Sequence, residues 1–121
     1  MRVLLIEDDA DMIDMLRLVL GEIAGWEVLS FRSGEELLNQ LDELADPDLA
    51  LIDLNMEPLR GPDVVRQLKE RDHNEFPVLY LTGQPPGPAD LELVDGWIQK
   101  PFTYDELMAQ LRQKLGHRLP F

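Results

Sequence analysis

"ALIDLNMEPLRGPD", residues 50–63, sets one carboxylate, Asp53, at the end of an apolar run and follows it at once with asparagine, methionine, proline and glycine. A run that is apolar without alternation reads as a strand buried on both faces, the habit of a parallel sheet covered by helices on both sides. A charge at its end then lies on the rim where such sheets gather ligands. The question is what else the chain brings to that rim.

Working outward, short apolar runs alternate with stretches of helical period, the pattern of an α/β fold. "VLLI" at 3–6 reads as strand one, ending at Glu7; "WEVLSF" at 26–31 as strand two; "DLALID" at 48–53 as strand three; "FPVLYL" at 76–81 as strand four; and "WIQ" at 97–99 as strand five. From Asp9, the residues Met12, Ile13, Leu16, Val19, Leu20 and Ile23 recur at helical spacing, predicting helix one closed by Gly25. Ser33 with Glu36 forms the pattern of a reciprocal capping box and opens helix two, which runs to about Ala45. "GPDVVRQLKER" at 61–71 is helix three, with Pro62 tolerated in its first turn. Thr103 with Glu106 repeats the capping box, Leu107, Met108, Leu111 and Leu115 form the apolar stripe of helix five, and Gly116 is its expected stop. Between strands four and five, "TGQPPGPADLELVDG" crowds prolines and glycines, so the fourth helix is expected to be short or absent, a turn or two around 88–95.

The 121 residues suit one domain, 1–121, and one core. With 24 acidic against 11 basic residues, the formal charge of −13 repels nucleic-acid backbones and anionic membranes, so neither is an expected partner. Without cysteine there is no disulfide or zinc–thiolate site, which fits a reducing compartment such as the cytoplasm. The opening "MRVLLIEDD" is too short an apolar run for a signal peptide or a membrane span. The tail "LGHRLPF" fits either a natural end or a domain of a longer chain.

The strand ends are chemically coherent. Glu7, Asp8 and Asp9 follow strand one, Asp53 ends strand three, Thr82 follows strand four, and Lys100 with Pro101 follows strand five. Crowded carboxylates repel one another unless a cation neutralises them. An all-oxygen set favours Mg²⁺; the two histidines, His73 and His117, fall outside the expected site, which leaves a softer metal without ligands. In such a cluster Asp53 is placed to act as a nucleophile toward phosphorus, with Lys100 and the Thr82 hydroxyl neutralising charge on the transferred group.

"LLIEDD" at strand one, "DLNM" with Gly61 eight residues after Asp53, "LTG" at strand four and "KPF" at 100–102 together resemble a response-regulator receiver domain, the phosphoacceptor module of two-component signalling. The resemblance spans nearly the whole chain. It implies a flavodoxin-like, doubly wound, five-stranded parallel sheet. It also implies phosphoryl transfer to Asp53 from a histidine kinase or phosphotransfer protein. Glu7 and Asp8 would be the acidic pair, with Asp8 the direct Mg²⁺ ligand, and Asn55 would offer its backbone carbonyl to the metal. Thr82 and Trp97 would be the switch residues, and the fourth helix, fifth strand and fifth helix the output face toward an effector domain or partner. Glu57, inserted before Pro58, and a segment from Thr82 to Lys100 about one helical turn shorter than is usual depart from the pattern. Trp97 is also bulkier than the usual tyrosine or phenylalanine.

Blander readings compete. Asp9 is better read as a helix cap than as a site residue. Trp97 alone would be ordinary core packing, Trp26 is core or surface cover, Lys100 alone would be a surface lysine, and Thr82 alone a strand-end hydroxyl that caps a turn. The rival functions are a phosphorylation-independent docking or dimerisation module, which the altered segment favours, and an aspartyl phosphatase. Asn55 speaks against the phosphatase, because an acid is usual two residues after the nucleophile. A flavin carrier of the same fold is poorer still, since the acids would repel its phosphate. The resulting expectation is a switch that assists its own modification, not a metabolic enzyme.

Overall fold

A computed structural model describes residues 1–70 and 75–118. The elements are β1 (Arg2–Ile6), α1 (Ala10–Leu16), β2 (Glu27–Phe31), α2 (Gly34–Asn39), β3 (Leu49–Asp53), α3 (Gly61–Glu70), β4 (Val78–Thr82), α4 (Pro88–Leu91), β5 (Gly96–Gln99) and α5 (Tyr104–Leu115). The strands form one parallel sheet in the order β2-β1-β3-β4-β5. This is the flavodoxin-like fold read from the sequence.

The unbroken apolar strands are explained by two cores. Val3 and Leu5 of β1, Leu49 and Leu51 of β3, and Leu79 and Leu81 of β4 point to one face, where Leu16, Leu20, Leu107 and Leu111 of the first and last helices cover them. Leu4, Ile6, Ala50, Ile52, Val78 and Tyr80 point to the other, against Leu37 of α2 and Val64, Val65 and Leu68 of α3. Successive side chains alternate faces, so a strand apolar throughout must be covered twice.

Three expectations need correction. Helix one follows its predicted span, but after Leu16 it continues as a π-helical stretch, Arg17–Ile23. The wider winding turns Ile23 out of the apolar stripe, leaving it 60% exposed, with Leu18 at 48%. The helix closes at Gly25, whose φ of +76° is a conformation only glycine adopts freely. Helix two stops at Asn39 instead of Ala45, because Gln40 leaves helical geometry and a 3-10 turn, Leu41–Glu43, buries Leu41 in its place. Of its capping box only the forward half forms, Ser33 Oγ accepting the Glu36 N–H at 3.1 Å; Thr103 and Glu106 complete both halves. Gly116 caps α5 as expected, in a right-handed conformation, and the backbone turns once more through Arg118.

Arg71 and His73 lie outside the described residues. α4 is a single turn, as its prolines and glycines predicted. Among the described residues no helix is long and apolar enough to cross a membrane.

Candidate functional site

The register of the sheet brings the site together. Ile6 pairs with Ile52, and Asp53 with Leu81, so the carboxyl ends of β1, β3 and β4 stop at one level. Glu7 and Asp53 therefore emerge side by side, at the crossover where connections leave β1 and β3 for opposite faces of the sheet. The β3–α3 connection can turn this tightly because Gly61 comes close to the strand end: a Cβ there would lie 2.7 Å from the Asp53 carbonyl oxygen and 3.1 Å from Leu54 Cα. Gly61 N–H in turn donates to the Leu54 carbonyl at 3.0 Å.

Glu7 is fully buried and Asp53 only 6% exposed, whereas Asp8 stands at the exposed mouth. Carboxylate oxygens of Glu7, Asp8 and Asp53 all lie within 4.8 Å of one another. Lys100, carried past the end of β5, donates from Nζ to Glu7 Oε2 at 2.8 Å and sits 3.5 Å from Asp53 Oδ1. Glu7 Oε1 also accepts the Asp9 N–H at 3.2 Å, and Asp53 Oδ1 accepts the Asn55 N–H at 3.2 Å.

Burial pushes the Glu7 carboxyl up from 4.5 to about 7, the Lys100 hydrogen bond opposing it and the Asp53 charge adding to it. Asp8 is raised too, first by desolvation and then by the Asp53 carboxylate beside it. Three carboxylates facing one ammonium leave an excess of negative charge when ionised. A hard dication with an all-oxygen donor set suits that deficit, so the residues fit Mg²⁺.

Glu7, Asp8, Asp53 and Lys100 are thus brought together, with Asn55 at the loop start. Asp9 is a cap, its Oδ1 accepting the Asp11 and Met12 N–H groups. Thr82 reaches the same rim but is 2% exposed and turned to its own loop: Oγ1 donates to the Gln84 carbonyl at 3.0 Å and accepts the Gln84 N–H at 3.3 Å. Trp97 lies deeper, half-buried, paired in register with Tyr80 and packed on the α3 side. His117 follows α5, exposed and away from the site. This geometry matches the blander reading of Thr82 as a strand-end hydroxyl capping a turn; what sequence reasoning did not name was Gln84 as its partner. The Glu57–Pro58 and Lys100–Pro101 peptide bonds are cis.

Residues 3–112 match the family model described as response regulator receiver domain. The DNA-binding response regulator MtrA of Mycolicibacterium paratuberculosis is 36% identical over 120 residues, an overlap that takes in 94% of this chain and 51% of that protein. The cell cycle transcriptional regulator CtrA of Caulobacter vibrioides is 34% identical over 125 residues, covering 97% and 53%. The chain spans about half the length of these curated relatives. Among solved structures, the chemotaxis response regulator CheY4 of Vibrio cholerae superposes with a TM-score of 0.80 at 28% identity, over 94% of this chain and 98% of that one. TrrA of Thermotoga maritima, solved in complex with Mg(2+)-BeF, gives 0.78 at 25% identity, over 94% and 98%.

Proposed function

Because the chain belongs to the response regulator receiver domain family, we propose that it is a signalling switch in which Asp53 accepts a phosphoryl group from the phosphohistidine of a histidine kinase or phosphotransfer protein. A carboxylate oxygen of Asp53 attacks phosphorus, the phosphorus–nitrogen bond breaks, and its electron pair stays on the imidazole, which leaves as neutral histidine after taking a proton. The observation that carries this reading is the buried Asp53 carboxylate, hemmed by Glu7 and Asp8 within 4.8 Å and by the Lys100 ammonium at 3.5 Å.

Glu7, Asp8 and Asp53, with the Asn55 carbonyl, would hold Mg²⁺. Both Glu7 oxygens are already engaged, which favours Asp8 for the direct contact. Bound there, the ion would offset the negative charge gathered on the acceptor and the phosphoryl group. Lys100 is within reach of the acceptor oxygen and would pair with a phosphoryl oxygen. Thr82 would have to release Gln84 to do the same.

The chain's own part is to position and neutralise, so the proposal is a switch and not a metabolic enzyme. Its output would go to an effector domain or partner protein, and the cytoplasm is the proposed location. The test is the intact mass after incubation with acetyl phosphate, with and without Mg²⁺, beside Asp53→Asn. A Mg²⁺-dependent adduct absent from the variant supports the switch. No adduct, with beryllofluoride also failing to bind, would favour a phosphorylation-independent docking module, to which the one-turn α4 would then be the clue.

A further inference from the structure

Asp8, the acid favoured for direct contact with the ion, is exposed at the mouth of the site, where packing does little to aim it. A ligand binds well only when it is held in place before the ion arrives. The backbone around Asp8 supplies that hold. On one side the Glu7 N–H donates to the Phe31 carbonyl at 3.0 Å, carrying the β1–β2 ladder past Ile6. On the other, the Asp9 carbonyl accepts the Ile13 N–H at 3.0 Å and opens α1. Asp8 is the one residue between sheet and helix.

Asp9 fastens this junction in both directions. Its N–H reaches back to Glu7 Oε1 at 3.2 Å, which closes a ring around the Asp8 backbone. Its own Oδ1 reaches forward, accepting the Asp11 N–H at 2.9 Å and the Met12 N–H at 3.4 Å. These cap bonds hold Asp9 extended, at φ −84° and ψ 114°, and so fix the peptide plane between Asp8 and Asp9 relative to the helix. The direction of the Asp9 N–H follows from that plane. With Lys100 Nζ on Glu7 Oε2 at 2.8 Å, this N–H completes the two bonds that orient the buried Glu7 carboxylate.

Resting on the Mg²⁺ site proposed above, we propose that Asp9 is a positioning residue for that site: by capping α1 it fixes the turn that carries Asp8 and aims its own N–H at Glu7. The Asp9 carboxylate acts through the backbone and is not itself a ligand. Without the cap, the turn would have to be ordered as the ion binds, which lowers affinity.

The experiment measures Mg²⁺ affinity of the whole chain by titration calorimetry at one pH, with urea unfolding of chelator-treated samples beside it. Asp9→Ala, which removes the cap, should weaken Mg²⁺ binding about tenfold, the lower end of what the groups that hold metal ligands contribute. Asp9→Asn keeps an oxygen for the Asp11 and Met12 N–H groups and removes only an exposed, screened charge, so it should bind within about twofold of wild type. Ser33→Ala removes the cap of α2 and should lower the urea midpoint while leaving Mg²⁺ affinity unchanged. A merely structural role for Asp9 would make its alanine variant behave as Ser33→Ala does, losing stability and keeping affinity, and would overturn the proposal. So would an Asp9→Asn that binds as weakly as Asp9→Ala, since the charge would then matter and not the cap. Both results leave the metal site standing, whereas a wild type that binds no Mg²⁺ removes the site and the role of Asp9 together.

Discussion

The buried Glu7 makes the stability of the metal-free protein depend on pH in a sense opposite to that of most carboxylates. Folding raises its midpoint from 4.5 to about 7, so between those values the folded chain holds a proton that the unfolded chain has released. Stability must therefore fall as pH rises through that window and level off above it. The full rise corresponds to about 3 kcal/mol, at ~1.4 kcal/mol for each pH unit. Asp8, also raised, adds to the fall at the acidic end. The perturbation is Glu7→Gln, which keeps the side chain's shape and removes its titration. Urea unfolding followed by circular dichroism, in chelator-treated samples at half-unit pH steps, should show wild type losing stability on the order of 2–3 kcal/mol between about pH 5 and 8, with the variant much flatter. Equal slopes in the two proteins, or stability rising with pH in the wild type, would refute the assignment of the buried proton to Glu7.

Three further outcomes are expected. Lys100→Met removes the cation facing Glu7 and Asp53, so it should destabilise the metal-free protein by roughly 3 kcal/mol near pH 8 and by much less near pH 5.5, where Glu7 carries a proton; parallel urea titrations would show it. Gly61→Ala drives a methyl to 2.7 Å from the Asp53 carbonyl and should cost about 1–3 kcal/mol and slow adduct formation, whereas Gly83→Ala, whose methyl would meet nothing closer than 4.0 Å, should unfold within about 0.5 kcal/mol of wild type. Because the acids must shed their protons before a cation binds, Mg²⁺ affinity should rise between about pH 5 and 8 with net proton release, measured by titration calorimetry in buffers of different ionisation enthalpy. A pH-independent affinity would contradict the raised Glu7 and Asp8.

The parts of the fold that were legible were those carried by local pattern. The unbroken apolar runs of β1, β3 and β4 declare double burial, and Ser33, Thr103 and Gly25 mark helix ends through bonds made within a few residues. Asp9 as a cap and α4 as a single turn follow from the same local chemistry. What was not legible depends on distant partners. Nothing in Arg17–Ile23 announces a wider helix, so Ile23 read as core when it faces solvent. The rim acids were legible as a set, but not their inequality: Glu7 is sealed beneath Lys100 while Asp8 meets water. Likewise Thr82 read either as a donor to the acceptor or as a turn cap, and the structure has its hydroxyl engaged with Gln84. Arg60 of the β3–α3 connection, Tyr80 of β4 and Asp90 of α4 meet across distant stretches of sequence, which no periodicity predicts.

The ion pair between Glu7 and Lys100 joins residues 93 positions apart, the first strand's end to the last strand's end. Such contacts come late in folding, because long loops must close before they form. During synthesis, an emerging chain would display the acids of β1 and β3 well before their cation leaves the ribosome. On the proposed function, a half-made copy would lack the ammonium beside Asp53, and a donor kinase would lose few phosphoryl groups to it. Under that reading the same closure would serve as a check on completeness, since only a molecule whose final strand has docked presents the whole rim.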